Sequence, residues 1–227
     1  MKNPLYKQFV GRTSTLRYII AIGMVALLAL PAVAQDKDKE KGLQKGDKPS
    51  DAEMMAMMME LSKTGENHKL LAKGVGKWTY KLKHWMDPSQ PPSESTGVSE
   101  TKPLLDGRYF ISEHNGKFAM PGPDGKTTDM EFKGIGIEGY DNVKKKFVSS
   151  WVDNMGTGIM ISEGTYDAAS KTLTALTECE MMPGMKSKIR QVLKIKDDNN
   201  RTLEFFEDRG DGKEVKTMEI AYTRKST

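Results

Sequence analysis

Gly76-Lys77-Trp78-Thr79-Tyr80-Lys81-Leu82-Lys83-His84-Trp85-Met86 alternates large apolar or aromatic residues with lysines, and the reading of this stretch decides the fold. A repeat of two marks a strand with one buried face. Trp78, Tyr80, Leu82, His84 and Met86 share one side, while Lys77, Thr79, Lys81 and Lys83 share the other, so the first set is expected to point inward. Turn chemistry then recurs at the short spacing of an all-β domain, at Asp87-Pro88, Asp106-Gly107, Asn115-Gly116, Asp124-Gly125, Asp141-Asn142, 154–156, Pro183-Gly184, 197–200 and 210–212. These turns bound about ten strand candidates, near 77–86, 95–103, 108–117, 130–140, 146–153, 158–167, 172–180, 186–196, 202–207 and 213–224.

Connections this short make neighbours in sequence neighbours in the sheet and leave no room for the crossover that parallel pairing needs. An antiparallel meander of this length either leaves two exposed edges or closes on itself, and closure removes the edges. The expected fold is therefore all-β: an antiparallel closed up-and-down barrel of about ten strands behind a short helical segment. A β-sandwich is the alternative, but it usually requires longer Greek-key connections. One local echo supports repeated hairpins: Tyr140-Asp141 with Lys146, and Tyr166-Asp167 with Lys171. Each Asp is expected to accept backbone donors in its turn, and no catalytic role is assigned to the pair.

Upstream of the barrel the chain changes character. Residues 1–34 carry Lys2, Lys7, Arg12 and Arg17 and no acid, then an apolar run from Tyr18 to Leu30 and Pro31-Ala32-Val33-Ala34. This is the layout of a secretory signal peptide, so the expectation is bacterial export, to the periplasm or beyond, with no stable membrane anchor after cleavage before Gln35. Those four cations account for the whole excess of 35 basic over 31 acidic residues. The remainder is electrically balanced, which argues against nucleic acid as a partner. Residues 35–49 are nearly all charged or small and read as a disordered tether. Residues 50–74 form a Met-rich helical segment, opened by the capping box of Ser50 and Glu53, and the barrel domain is expected over 75–227. The single Cys179 cannot form an internal disulfide, so the fold must rest on its core.

Several stretches together resemble a known family, the bacterial domain of unknown function numbered 1579, often found in exported proteins. They are 66–72, Gly76-Lys77-Trp78, Trp85-Met86-Asp87-Pro88, Leu105-Asp106-Gly107-Arg108-Tyr109 and the run from Gly139-Tyr140-Asp141-Asn142 through 151–158 to 163–167. The resemblance implies a lipocalin-like (calycin-type) barrel and brings no assigned activity or catalytic residues, so function has to be argued from the site.

A small barrel can hold one ligand on its inward face. The ligand-binding candidates are Trp78, Tyr80, His84 and Trp151, with Arg108 and Asp153 as possible inward charges. The partner expected for such a lining is a small hydrophobic molecule. No cofactor is expected, and the chain has no G-x-S-x-G elbow, H-E-x-x-H helix, C-x-x-C pair or phosphate-cradling loop. Two alternatives remain open: a hydrolase or isomerase using Asp153 or Glu163, and Cu(I) binding by the soft ligands Cys179, Met181, Met182 and Met185 near one hairpin tip. Against copper, methionine also serves as adaptable apolar filling.

Overall fold

The computed structural model describes residues 48–121, 127–208, 210 and 212–226. The chain divides into two units, Met1–Lys48 and Pro49–Thr227, and both helices and the barrel belong to the second. The expected leader and nearly all of the expected tether lie outside the described residues. No helix among the described residues is long and apolar enough to cross a membrane.

Two helices, α1 (Asp51–Leu61) and α2 (Glu66–Ala72), precede ten strands: β1 (Gly76–His84), β2 (Ser93–Leu104), β3 (Tyr109–Pro121), β4 (Thr127–Asp141), β5 (Lys146–Asp153), β6 (Met160–Asp167), β7 (Thr172–Met182), β8 (Met185–Ile195), β9 (Asn200–Asp208) and β10 (Glu214–Arg224). All neighbours are antiparallel, and β1 pairs with both β2 and β10, so the sheet closes into a barrel with no free edge. Odd-numbered strands begin, and even-numbered strands end, at the pole where α2 enters.

Ser50 caps α1 as its sequence predicts: its Oγ accepts from the Glu53 amide at 3.3 Å, and its own amide donates to the Glu53 carboxylate at 2.8 Å. None of the α1 residues is buried, and Met54, Met55, Met57, Met58 and Met59 are all exposed. The methionines of this helix therefore do not pack over the barrel. Its end is tied down by Asn142, whose Nδ2 donates to the Leu61 and Lys63 carbonyls at 2.9 and 2.8 Å.

The Tyr-Asp echo is a repeated turn. Asp141 accepts from the Val143 and Lys144 amides at 2.7 and 3.0 Å, and Asp167 accepts from those of Ala169 and Ser170 at 3.0 and 3.3 Å. Four residues after each Asp, Lys145 and Lys171 take left-handed φ of 55° and 52°, which turns the chain into the next strand. Lys145, rather than Lys146, is thus the counterpart of Lys171.

Asn115-Gly116 is not a turn. β3 runs straight through it, paired with β2 and β4, because Gly116 leaves room that a side chain would fill: a Cβ there would sit 2.5 Å from the Tyr80 hydroxyl. Gly97 on β2 does the same for the Tyr80 ring. Trp78, Tyr80 and Tyr222 form the buried centre of the wall, with Leu82, Leu203 and Ile220 packed against them. Burial of each large side chain is worth roughly 1.5–3 kcal/mol.

Replacing Gly97 by Ala should therefore destabilise the barrel by about 1–3 kcal/mol in urea titration, since the methyl must displace a buried tyrosine. Gly156→Ala, where nothing lies within 4 Å of the added atom, should change stability by no more than about 0.5 kcal/mol.

Candidate functional site

Register fixes what the barrel encloses. Trp78, Tyr80 and Leu82 of β1 face inward, and pairing carries that face to Tyr222 and Ile220 on β10, then to Arg201 and Leu203 on β9. On the other side the inner row includes Phe110, Ser112, His114 and Phe118 of β3, opposite Glu138, Gly136, Gly134 and Met130 of β4. Ring contacts confirm the convergence: His114 lies 5.1 Å from Trp151, 6.0 Å from Tyr80 and 6.2 Å from Tyr222, while Phe132 stacks on Trp151 at 6.3 Å. Gly134 permits this, because a Cβ there would overlap the Trp151 indole.

From β5 to β7 the inner face mixes large residues, Phe147, Trp151, Met160, Tyr166 and Leu173, with a band of small ones. Ser149, Ser162, Gly164, Ala175 and Thr177 follow one another across the wall. Glu138 lies beside this band, paired with Phe110 on one side and Ser149 on the other. By surface area it is exposed, yet it lies on the inner face and burial raises the pKa of its carboxyl. Both hold together if its uncovered surface looks between the walls of the barrel. His114 is half-buried by area for the same reason, and burial, with Arg201 nearby, lowers its pKa to about 4. Its imidazole is neutral at pH 7.

Arg201 sits near the α2 pole. Its guanidinium lies 4.1 Å over the Trp78 ring and 5.3 Å from the Tyr222 ring. The pole is closed by the segment linking α2 to β1: the Trp78 indole donates to the Gly74 carbonyl at 3.0 Å, and His68 is buried with its ring 5.9 Å from Tyr140. A Cβ on Gly74 would come 3.0 Å from the Arg201 Nη1, so this segment passes directly against the guanidinium. Near the opposite pole, Leu82, Ser95, Thr96, Phe118 and Asp129 help line a hollow of about 450 Å³.

The residues anticipated from sequence fall in several places. Trp78, Tyr80 and Trp151 line the interior, Trp78 as part of its floor. Asp153 is at the end of β5 and accepts from the Trp151 indole at 2.8 Å, so it positions the ring. His84 shares the inward parity but is the last residue of β1 and is exposed, away from the aromatic group around His114. Arg108 is not an inward charge: it precedes β3, in the exposed turn, where its Nη1 donates to the Leu105 carbonyl at 3.3 Å and pairs with Asp106 at 3.8 Å. Glu163 is on the outer face, bound by Lys144 and Lys146, which removes it from any internal acid-base site.

Among the proposed copper ligands, Cys179 faces inward opposite Ser187, and burial followed by the nearby Glu207 raises its thiol pKa, the wrong direction for a thiolate ligand. Met185 is exposed, and the side chains of Met181 and Met182 lie outside the described residues. Among the described residues, no three His, Cys, Asp or Glu side chains cluster as a metal site. The polar lumen residues His114, Glu138 and Arg201 were not anticipated. His114 was readable from the alternation Phe110, Ser112, His114, Gly116, Phe118, but Glu138 and Arg201 carry no such signal.

The chain belongs to the family described as "Protein of unknown function (DUF1579)", whose profile matches residues 63–224. No curated protein matches it. Among solved structures it is similar to an S-type phycobiliprotein lyase, CPES, from Guillardia theta, at 11% identity over 75% of this chain and 97% of that one, with a TM-score of 0.47. A second similar structure is EF1p2_mFAP2b bound to DFHBI, at 11% identity over 70% of this chain and 98% of the other, with a TM-score of 0.34.

The His114 geometry sets a pH dependence. An unfolded chain takes up a proton on this histidine near 6.5, whereas the folded protein resists until about 4. Stability is therefore full above pH 6.5 and falls as the pH drops towards 4, by at most about 3 kcal/mol from this group. Urea titrations of His114→Gln at pH 7 and pH 4.5 should show a visibly smaller acid loss than the native chain. An unchanged loss would place His114 in contact with bulk water.

Proposed function

We propose that this protein binds a small, mostly apolar molecule inside its barrel, without catalysing a reaction, and that it does so after export. The observation that carries the reading is Glu138, a carboxyl that is desolvated and yet uncovered. On an inward-facing residue the two conditions together fit an interior space, and enclosed, largely aromatic space with a few convergent polar groups is the general form of a ligand site. Trp151, Phe132 and Phe118 supply apolar surface on one side, and Leu203 and Ile220 on the other. Keeping an acid and a guanidinium in such a place costs stability, which is more readily understood for a binding site than for a filled core. Export rests on the layout of residues 1–34, and a secreted or periplasmic chain should begin at Gln35 when its N-terminus is sequenced.

Native mass spectrometry and organic extraction of protein purified from its own host should recover an apolar molecule at about one per chain. Ser149→Phe, which adds a ring on the inner face, should sharply lower that occupancy. Ser150→Phe, one residue along and facing outward, should leave it within about twofold. Protein that is reproducibly ligand-free, with side chains filling the interior, would contradict the reading.

A further inference from the structure

We propose that the molecule held in the barrel is an amphipathic carboxylic acid, its head group anchored on Arg201 and its chain lying along the aromatic inner wall towards Trp151 and Phe132. This deepens the small-molecule reading above and rests on it.

The argument starts from two arginines that share one tryptophan. Arg224 lies 4.2 Å from the Trp78 ring, and its N–H groups are spent on the protein: Nε donates to the Asp198 carbonyl at 2.9 Å, Nη2 to that of Lys73 at 2.6 Å, and Nη1 to that of Val75. Arg201 lies equally close, at 4.1 Å, yet makes none of these bonds. Its Nε is buried and finds no acceptor among the described residues. A guanidinium has five donors and no acceptor, and it stays charged in proteins, so a buried one without oxygen partners is strongly unfavourable. The ring faces of Trp78 and Tyr222 offset part of that cost but leave the in-plane N–H groups unused.

Among the described residues, Glu138 is the only carboxylate that the inner-wall register brings near this pole. The two groups influence each other electrostatically, but no ion pair joins them among the described residues. Burial favours the neutral acid form of Glu138, in which it offers one more donor towards the same space. The rings against the guanidinium are those of Trp78 and Tyr222, the neutral His114 is close enough to feel its charge, and Arg224 adds a second cation over Trp78. No acceptor among the described residues reaches the Arg201 Nε, and the planar fork of Arg201 matches the two oxygens of a carboxylate. Above the floor the wall is aromatic and aliphatic, which suits a hydrocarbon chain.

The test compares dodecanoic acid, dodecanol and dodecylamine, three probes with one tail and different heads, by isothermal titration of the delipidated full chain at pH 8. The acid should bind at least about tenfold more tightly than the alcohol, with the amine no tighter than the alcohol. In Arg201→Met the preference for the acid should vanish, while dodecanol affinity changes less than about threefold. If that variant does not fold, the comparison on the native chain decides alone. Equal affinity for acid and alcohol would overturn the anchor while leaving an apolar binder intact. Tightest binding of the amine would also overturn it and make Glu138 the anchor. Binding of none of the three would overturn both the anchor and the reading it rests on.

Discussion

Trp78 is the point on which the rest of the barrel depends. It is 2% exposed, its indole is bonded to the Gly74 carbonyl, and two guanidiniums lie over its ring. It belongs to the first strand and pairs with Arg224 of the last, so its packing and barrel closure are one event. Arg224 in turn bonds the carbonyls of Lys73 and Val75, which holds the segment after α2 across the pole. The same ring supports Arg201, whose donors are left facing the interior. One buried indole therefore joins the sheet's ends, closes one pole and presents a cation to the lumen.

The inner face is uneven for a packing reason. Tyr80 and Trp151 are large and lie flat against neighbouring strands, which is possible because Gly97, Gly116 and Gly134 carry no side chain where the rings rest. On β5 to β7 the inner row sets a band of serine, glycine, alanine and threonine among the larger Phe147, Trp151, Met160, Tyr166 and Leu173. The polar groups Glu138, His114 and Arg201 lie on the inner face, where burial favours the neutral form of each, and an anionic head group would offset that cost for Arg201.

Much of the fold was legible because its signals are local. Asp-led turns and the alternation from Trp78 to His84 mark strands without knowledge of their partners, and ten strands joined by short turns leave closure as the economical solution. The site was legible only in part. Alternation assigns a face but not a height along the barrel, which is why His84 has the inward parity and still ends up exposed at a strand end. On β4 and β5 the outer face is itself apolar, with Ile135, Ile137 and Val152 exposed, so hydrophobicity alone did not set the inward row. Arg201 and Glu138 meet only through the closure of the sheet, from strands five apart in sequence order, and nothing near either residue announces the other.

The central claim is that the barrel interior is a lumen bordered by an unspent guanidinium and a desolvated carboxyl. A high-resolution crystal structure of the protein purified from its own host tests this most directly. The account predicts non-protein density between the Arg201 guanidinium and the Trp151 ring, in contact with the Arg201 N–H groups. A direct Arg201–Glu138 ion pair, with side chains closing the space between the walls, would contradict it.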